Sequence, residues 1–324
     1  MKKRFFLYGM AMVALATGGS PAMAQAYPTK TIKLQVPFAP GGTTDIIARV
    51  IADPLGKALG QVVVVENKAG GGGVVGAQET AKSAPDGYAL GMATVSTTAA
   101  NPAINPKIPY NPLTDFTPII NIAATPNVIA VNPSFPAKDY KGFIQEVKTN
   151  PGKYSYSSSG TGGIGHLQTE LFKSLSGTFI THIPYRGSGP AVQDLLAGTV
   201  DMHITTPASV VAHIKSGRLC ALAVTSSKRL TSLPDVPTAT EAGLKGYDLD
   251  SWFALYAPVG TPAAVVQQIN AEVNKILQSP EVRKKAEDSG TAVETMAPAQ
   301  LGDFTRQELD YWGNVIKSAK ITAD

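Results

Sequence analysis

The feature that most constrains this chain is a unit that recurs along it. A short apolar run is followed by a turn of glycine and small hydroxyl residues, and then by a helical pattern. Residues 32–36 end at Pro37, and Ile46, Ile47, Val50, Ile51, Leu55 and Leu59 then recur at helical spacing. Thr43 or Thr44 is expected to cap that helix and Asp45 to suit its positive end. Pro54 is expected to kink or interrupt it. Residues 62–65 form a β-branched run of the kind expected for a strand buried on both faces. The stretch 70–76 leads into a helix ending near Ala81, and 89–95 is a further strand. The rhythm resumes with strands at 154–158, 179–183 and 202–205, each before a helix (166–175, 190–196 and 208–214), and a last strand at 219–224. Helical patterns at 263–278, 281–287 and 298–318 close the chain. Such alternation specifies an α/β protein whose mixed, mainly parallel sheets are flanked by helices.

Two segments break the rhythm. One is 119–132, apolar and interrupted by Pro126; the other is 250–258, which carries Trp252, Phe253 and Tyr256. Read as crossings, they divide the chain into a discontinuous domain, 27–125 plus 251–324, and a second domain, 126–250. Two α/β lobes joined by two strands create a hinge and a cleft suited to a ligand.

The first 26 residues read as a signal peptide. Lys2, Lys3 and Arg4 precede an apolar run too short to span a bilayer comfortably, and small-x-small patterns end at Ala24 and Ala26, the latter being the favoured cleavage point. No lipobox cysteine is present, so the mature chain is expected free in the periplasm. The whole chain is formally +4, and without the three leader charges the remainder is +1. No basic stripe suggests nucleic acid. The one cysteine, Cys220, lies in an apolar run and reads as a core thiol. The histidines at 166, 182, 203 and 213 form no metal-ligand pair, so no metal is expected. His182 and His203 read as satisfied packing residues and His213 as surface-facing.

Ligands of open α/β sheets sit at the carboxyl ends of strands, near helix starts. Four loops there carry the candidate binding residues. The first offers Phe38, Gly41, Gly42, Thr43 and Asp45, and taken alone reads more readily as an ordinary capped turn than as an anion cradle. The second offers Ser158, Ser159, Gly160, Thr161, Gly162, Gly163 and His166; its small hydroxyls and exposed amides could hold an anion without a cation, and a flexible loop is the alternative. The third offers Thr94, Ser96 and Thr97. The fourth offers Arg186, the best cation near the cleft, although a surface arginine is the commoner meaning. Two GxGxxG matches, at 71–76 and 160–165, lack the acid that a dinucleotide site needs, and no P-loop or GxSxG elbow occurs, so no cofactor and no catalytic residue is expected.

Several blocks then point one way: PFAPGGTTD (37–45), VVVENKAGGGGVVGA (63–77), SSSGTGGIGHL (157–167), IPYRGSGPAVQDLLAGTVD (183–201), LPDVPTATEAGL (233–244) and APVGTP (257–262). In this order they resemble the substrate-binding receptors of tripartite tricarboxylate transporters, the Bug receptors. The resemblance implies a two-lobed, type II-like periplasmic-binding fold that closes on a small carboxylate without transforming it. Loops 37–45 and 157–166 would clamp the ligand from opposite lobes, with Asp201 and Thr205 also in the site. It further implies one large and one small membrane subunit as partners, with a membrane sensor kinase as the alternative and a periplasmic carboxylate-processing enzyme as the less favoured reading; the receptor itself is expected to be a monomer. Many relatives carry Asp-Asn where this chain has Thr205-Thr206, and Ser-Thr-His where it has Ser96-Thr97-Thr98. The lost carboxylate argues against an amino-acid ligand. The expectation is a dicarboxylate without an ammonium, aromatic diacids such as terephthalate included, with Phe38 offering a stacking face.

Overall fold

The computed structural model describes residues 27–323; the expected signal peptide lies outside them. The strands are β1 (Ile32–Val36), β2 (Val63–Asn67), β3 (Ala89–Thr94), β4 (Phe116–Pro126), β5 (Val128–Val131), β6 (Ser155–Ser158), β7 (Thr181–Pro184), β8 (Met202–Thr205), β9 (Cys220–Val224), β10 (Asp250–Pro258) and β11 (Ala292–Val293). The helices are α1 (Thr43–Leu59), α2 (Val74–Lys82), α3 (Asn101–Ile104), α4 (Tyr140–Thr149), α5 (Ile164–Ser176), α6 (Ser188–Ala197), α7 (Val211–Lys215), α8 (Ala263–Gln278), α9 (Pro280–Asp288) and α10 (Pro298–Ala319).

Two sheets result, in the orders β11-β4-β10-β3-β1-β2 and β7-β6-β8-β5-β9. The α/β class holds. The parallel pairings are confined to β1–β2, β1–β3, β6–β7 and β6–β8. The remaining neighbours are antiparallel, so the sheets are evenly mixed rather than mainly parallel. The cause is the pair β4 and β10. These long strands lie side by side in the first sheet, and β4 continues through Asn127 directly into β5 of the second.

Several local expectations are corrected. The valine run at 62–65 forms part of an edge strand: Val62 and Val64 are 64% and 40% exposed, and β-branching favours the extended backbone without requiring burial on both faces. Helix α1 runs through Pro54 uninterrupted, and neither Thr43 nor Thr44 caps it, because both lie inside the first turn. Its N-cap is Gly42, and the Asp45 carboxylate reaches back to accept the Gly41 N–H at 3.0 Å. Residues 208–214 divide into a single turn, Pro207–Ser209, and the short α7.

Two large apolar clusters support the sheets. One joins β1, α1 and α8 through residues such as Leu34, Ile51, Leu55 and Ile269. The other joins Phe143, Tyr156 and Phe172 to Trp252 and Trp312. Helix α10 supplies Leu301 and Trp312 to this second cluster and packs against both β4 and α5, so the C-terminal helix bridges the two sheets.

Candidate functional site

The carboxyl ends of β1, β3, β6 and β8 face one another across the gap between the sheets. The first turns of α1, α5 and α6 meet there, each following a glycine at the N-cap: Gly42, Gly163 and Gly187. First-turn N–H groups have no intrahelical acceptor and carry the positive end of the helix dipole. They surround a cavity of about 50 Å³ whose lining includes Thr43, Thr44 and Asp45 from α1, Ile164 and Gly165 from α5, and Ser188 from α6. Ligand pockets commonly span about 300–1,000 Å³, so this is a closed conformation.

Phe38, Gly42, Thr43, Asp45, Thr94, Ser96, Ser159 and Thr205 are all brought to this lining. The other sequence candidates are not. The Gly41 N–H is engaged by Asp45. Thr97 bonds back to the Thr94 backbone. Gly160, Thr161, Gly162 and Gly163 form a rim outside the lining, where Gly160 and Gly163 pack on Gly72. Arg186 offers the rim its carbonyl, which accepts the Ala39 N–H at 2.9 Å, while its side chain is exposed. Asp201 accepts the Ser155 N–H at 2.8 Å, at the amino end of β6, away from the cavity.

Ser158 and His166 sit behind the loop. The Ser158 hydroxyl lies 2.7 Å from His182 Nε2, and His182 stacks between Tyr156 and His166 at centroid distances of 4.7 and 4.3 Å. Burial, with the neighbouring His166, pushes His182 down to about 4. A general base works best near the operating pH, and this pair lies outside the cavity lining, so the arrangement is a packed stack rather than a nucleophile and its base. His166 Nδ1 accepts the Gly162 N–H at 3.3 Å and so braces the glycine loop.

The cavity contains no lysine or arginine, and Asp45 is its one carboxylate. Burial works to raise the Asp45 carboxyl, but Arg49, the Gly41 N–H and Asn67 overcome it and hold the group below the usual range. Both oxygens are already taken: Arg49 Nε donates at 3.0 and 3.1 Å, and Asn67 Nδ2 at 2.9 Å. The site therefore presents amides and hydroxyls around an apolar middle of Phe38, Val95, Trp252 and Phe253.

Contacts also cross directly between the sides. Thr206 donates to the Thr43 hydroxyl at 2.6 Å, and Ser96 Oγ accepts the Ile164 N–H at 2.9 Å. Glycines permit the rims to touch: a Cβ at Gly160 would lie 2.6 Å from Gly72 N, and one at Gly189 would overlap the Pro40 carbonyl oxygen.

Sequence reasoning missed Asn127, Ser251, Trp252 and Phe253, which reach the lining from the crossing strands, and Ser188, a helix-start hydroxyl whose turn resembles the others. It also misjudged His203. Nδ1 lies 2.7 Å from the Ser157 carbonyl, which can only accept, so Nδ1 carries the hydrogen. Nε2 is then a buried acceptor without a partner in a residue that lines the cavity. Burial pushes this imidazole down to about 4, so it is neutral at pH 7.

A chamber closed between two sheets and walled by both is the design of a two-lobed periplasmic solute-binding protein. Residues 47–321 match the family described as tripartite tricarboxylate transporter family receptor. The sequence is 40% identical to Protein BugT of Bordetella pertussis over 94% of each chain. A solved periplasmic transporter shares 47% identity with a TM-score of 0.90, covering 92% of this chain and 100% of its own. Rhodopseudomonas palustris Rpa4515 with adipate shares 37% identity (TM-score 0.88; 91% and 99% covered). MatC of the same organism, with bound malate, shares 34% (TM-score 0.86; 90% and 100% covered). The chain belongs to the tripartite tricarboxylate transporter receptor family.

Proposed function

We propose that this receptor captures a dicarboxylate lacking an ammonium group in the periplasm and delivers it, unchanged, to the large and small membrane subunits of a tripartite transporter. The observation that carries this reading is the meeting of three helix N-termini and a ring of hydroxyls around a chamber that offers no cationic side chain and no free carboxylate. Fixed amide dipoles favour anions without a counter-charge. An ammonium would find only Asp45, whose oxygens are committed to Arg49, Asn67 and Gly41.

The lobes are 27–125 plus 251–324 and 126–250, hinged where the chain passes between the sheets. A diacid reaches both rims only when they are together, so its differential affinity for the closed state draws the lobes shut. The adipate and malate bound by the two R. palustris relatives are of this class. The apolar middle, with Phe38 and Phe253, matches an alkyl or aromatic spacer in character, and the rims must part from their present spacing to admit one.

A thermal-shift screen of mono-, di- and tricarboxylates tests the proposal, with adipate, malate, terephthalate and the amino acids included. Dicarboxylates should give the largest rises in Tm, and NMR of the recovered ligand should show no product. A hit set dominated by amino acids, or conversion of the ligand, overturns it.

A further inference from the structure

Next to β10, and bordering the chamber at Trp252, lies a second concavity, a groove of about 370 Å³. Asp248 and Asp250 enter it from β10 and the residues before it, Glu294 from the segment after β11, and Glu308 from α10. None of these four carboxylates forms an ion pair among the described residues. Four unpaired acids in one groove repel one another. Asp250 keeps an exposed edge, but partial burial against the groove floor, then Asp248 and Glu294, raise its carboxyl. Burial and Asp250 raise Glu308 against the hydrogen bonds it accepts from Trp252 and Trp312.

Two observations independent of charge point to a ligand. Asn121 is fully buried at the groove, and its Nδ2 donates to the Glu294 carbonyl at 2.6 Å, which fixes the orientation of the amide. Its Oδ1 is buried without a partner and needs a donor. The walls, moreover, are aromatic: Phe304 and the exposed Tyr311 stand at the surface, over the buried Trp252 and Trp312. A compact metal ion does not suit this geometry, since no three acids or histidines among the described residues converge closely enough to hold one. Spread carboxylates, aromatic faces and an amide oxygen seeking a hydrogen are together the recognition chemistry of an organic ammonium.

We propose that this groove binds an aliphatic diamine or polyamine cation, with ammonium groups on the carboxylates and on Asn121 Oδ1 and the methylene chain against Phe304 and Tyr311. The site is separate from the dicarboxylate chamber, although Trp252 borders both.

Trp252 and Trp312 are the two tryptophans of the chain, so intrinsic fluorescence reports on the groove directly. Titration of the mature protein with 1,4-diaminobutane and with spermidine, at low salt and without dicarboxylate, should give a saturable emission change, confirmed by calorimetry. The pair Asp250→Asn and Glu308→Gln should weaken binding at least 10-fold while leaving adipate or malate binding within 2-fold. The pair Asp248→Asn and Glu294→Gln, at exposed positions, should weaken it in the same direction even if the first pair folds poorly. Overturning results are an unsaturable response matched by sodium chloride of equal ionic strength, equal binding by parent and both variants, or tighter binding of magnesium or calcium than of spermidine.

Discussion

The chamber and the groove both border β10, sharing Trp252, and they treat charge in opposite ways. The chamber holds one carboxylate, fully hydrogen-bonded, and no cation; the groove gathers four carboxylates without an ion pair. The difference is the one that the proposed closure would favour. A chamber that closes must strip water from whatever lines it. A lysine or arginine would have to be desolvated at every closure, at a cost of several kcal/mol, whereas an amide dipole is neutral and already oriented. The groove stays open along one side, where Asp248, Asp250 and Glu294 are exposed, and solvent tolerates their charge.

The largest test separates the regions by closure itself. Gly189→Ala places a methyl group against the Pro40 carbonyl only when the lobes are shut. Affinity for adipate or malate should fall about a thousandfold, about 4 kcal/mol. The added methyl group meets the backbone of the facing rim and no apolar core, so parting of the rims relieves the clash and the ligand-free Tm should fall by less than the loss of affinity implies. Diamine binding at the groove should be untouched. Calorimetry on both ligands decides it, and equal affinity for the dicarboxylate would mean that the rims do not need to meet.

Acid and alkali should act on the two sides with opposite sign. His203, beside the chamber, titrates at about 4 when folded, against an ordinary value near 6.5. The unfolded chain therefore binds the proton first. Stability is complete above pH 6.5 and declines as pH falls, by about 3 kcal/mol from this residue at pH 4. His182 and His166 are lowered in the same direction. The groove carboxyls Asp250 and Glu308 are raised instead, so the folded chain binds their protons first, and they lose stability as pH rises through the carboxylate range. Urea midpoints from pH 7 to 4 should fall for the parent. With Asp250→Asn and Glu308→Gln they should fall more steeply, because the opposing contribution is gone. Parallel curves would mean that the groove acids are not perturbed by their setting.

What the sequence made legible follows the same division. The helix starts behind the glycine turns at 41–42 and 160–163 were readable, though placed late in the chain, because glycine and small hydroxyls have few other reasons to cluster between a strand and a helix. The glycine loop at 160–163 was placed in the right neighbourhood but one layer too far forward, since composition cannot tell an amide that faces a ligand from one that faces Gly72. Trp252 and Phe253 were recognised as part of a crossing but not as chamber walls, because the sequence of a strand does not say what packs beside it. The groove left no local trace. Asn121, Asp250, Glu294 and Glu308 are far apart in the chain, and only the packing of α10 across β4 and β10 gathers them.

The smallest expected effect tests whether hydroxyl pairing across the chamber adds to what the dipoles supply. Thr206 and Thr43 are both buried and share a 2.6 Å hydrogen bond that exists only with the lobes together. Thr206→Val keeps the shape and removes the donor. A net hydrogen bond contributes about 1 kcal/mol, so dicarboxylate affinity should weaken about fivefold. Adding Thr43→Val removes the stranded partner, and if the pair serves only closure, affinity should recover part of the loss. If Thr43 also donates to the ligand, the double variant should instead bind more weakly than Thr206→Val alone. That direction, read by calorimetry from the two variants, shows whether the hydroxyl ring latches the lobes or grips the anion.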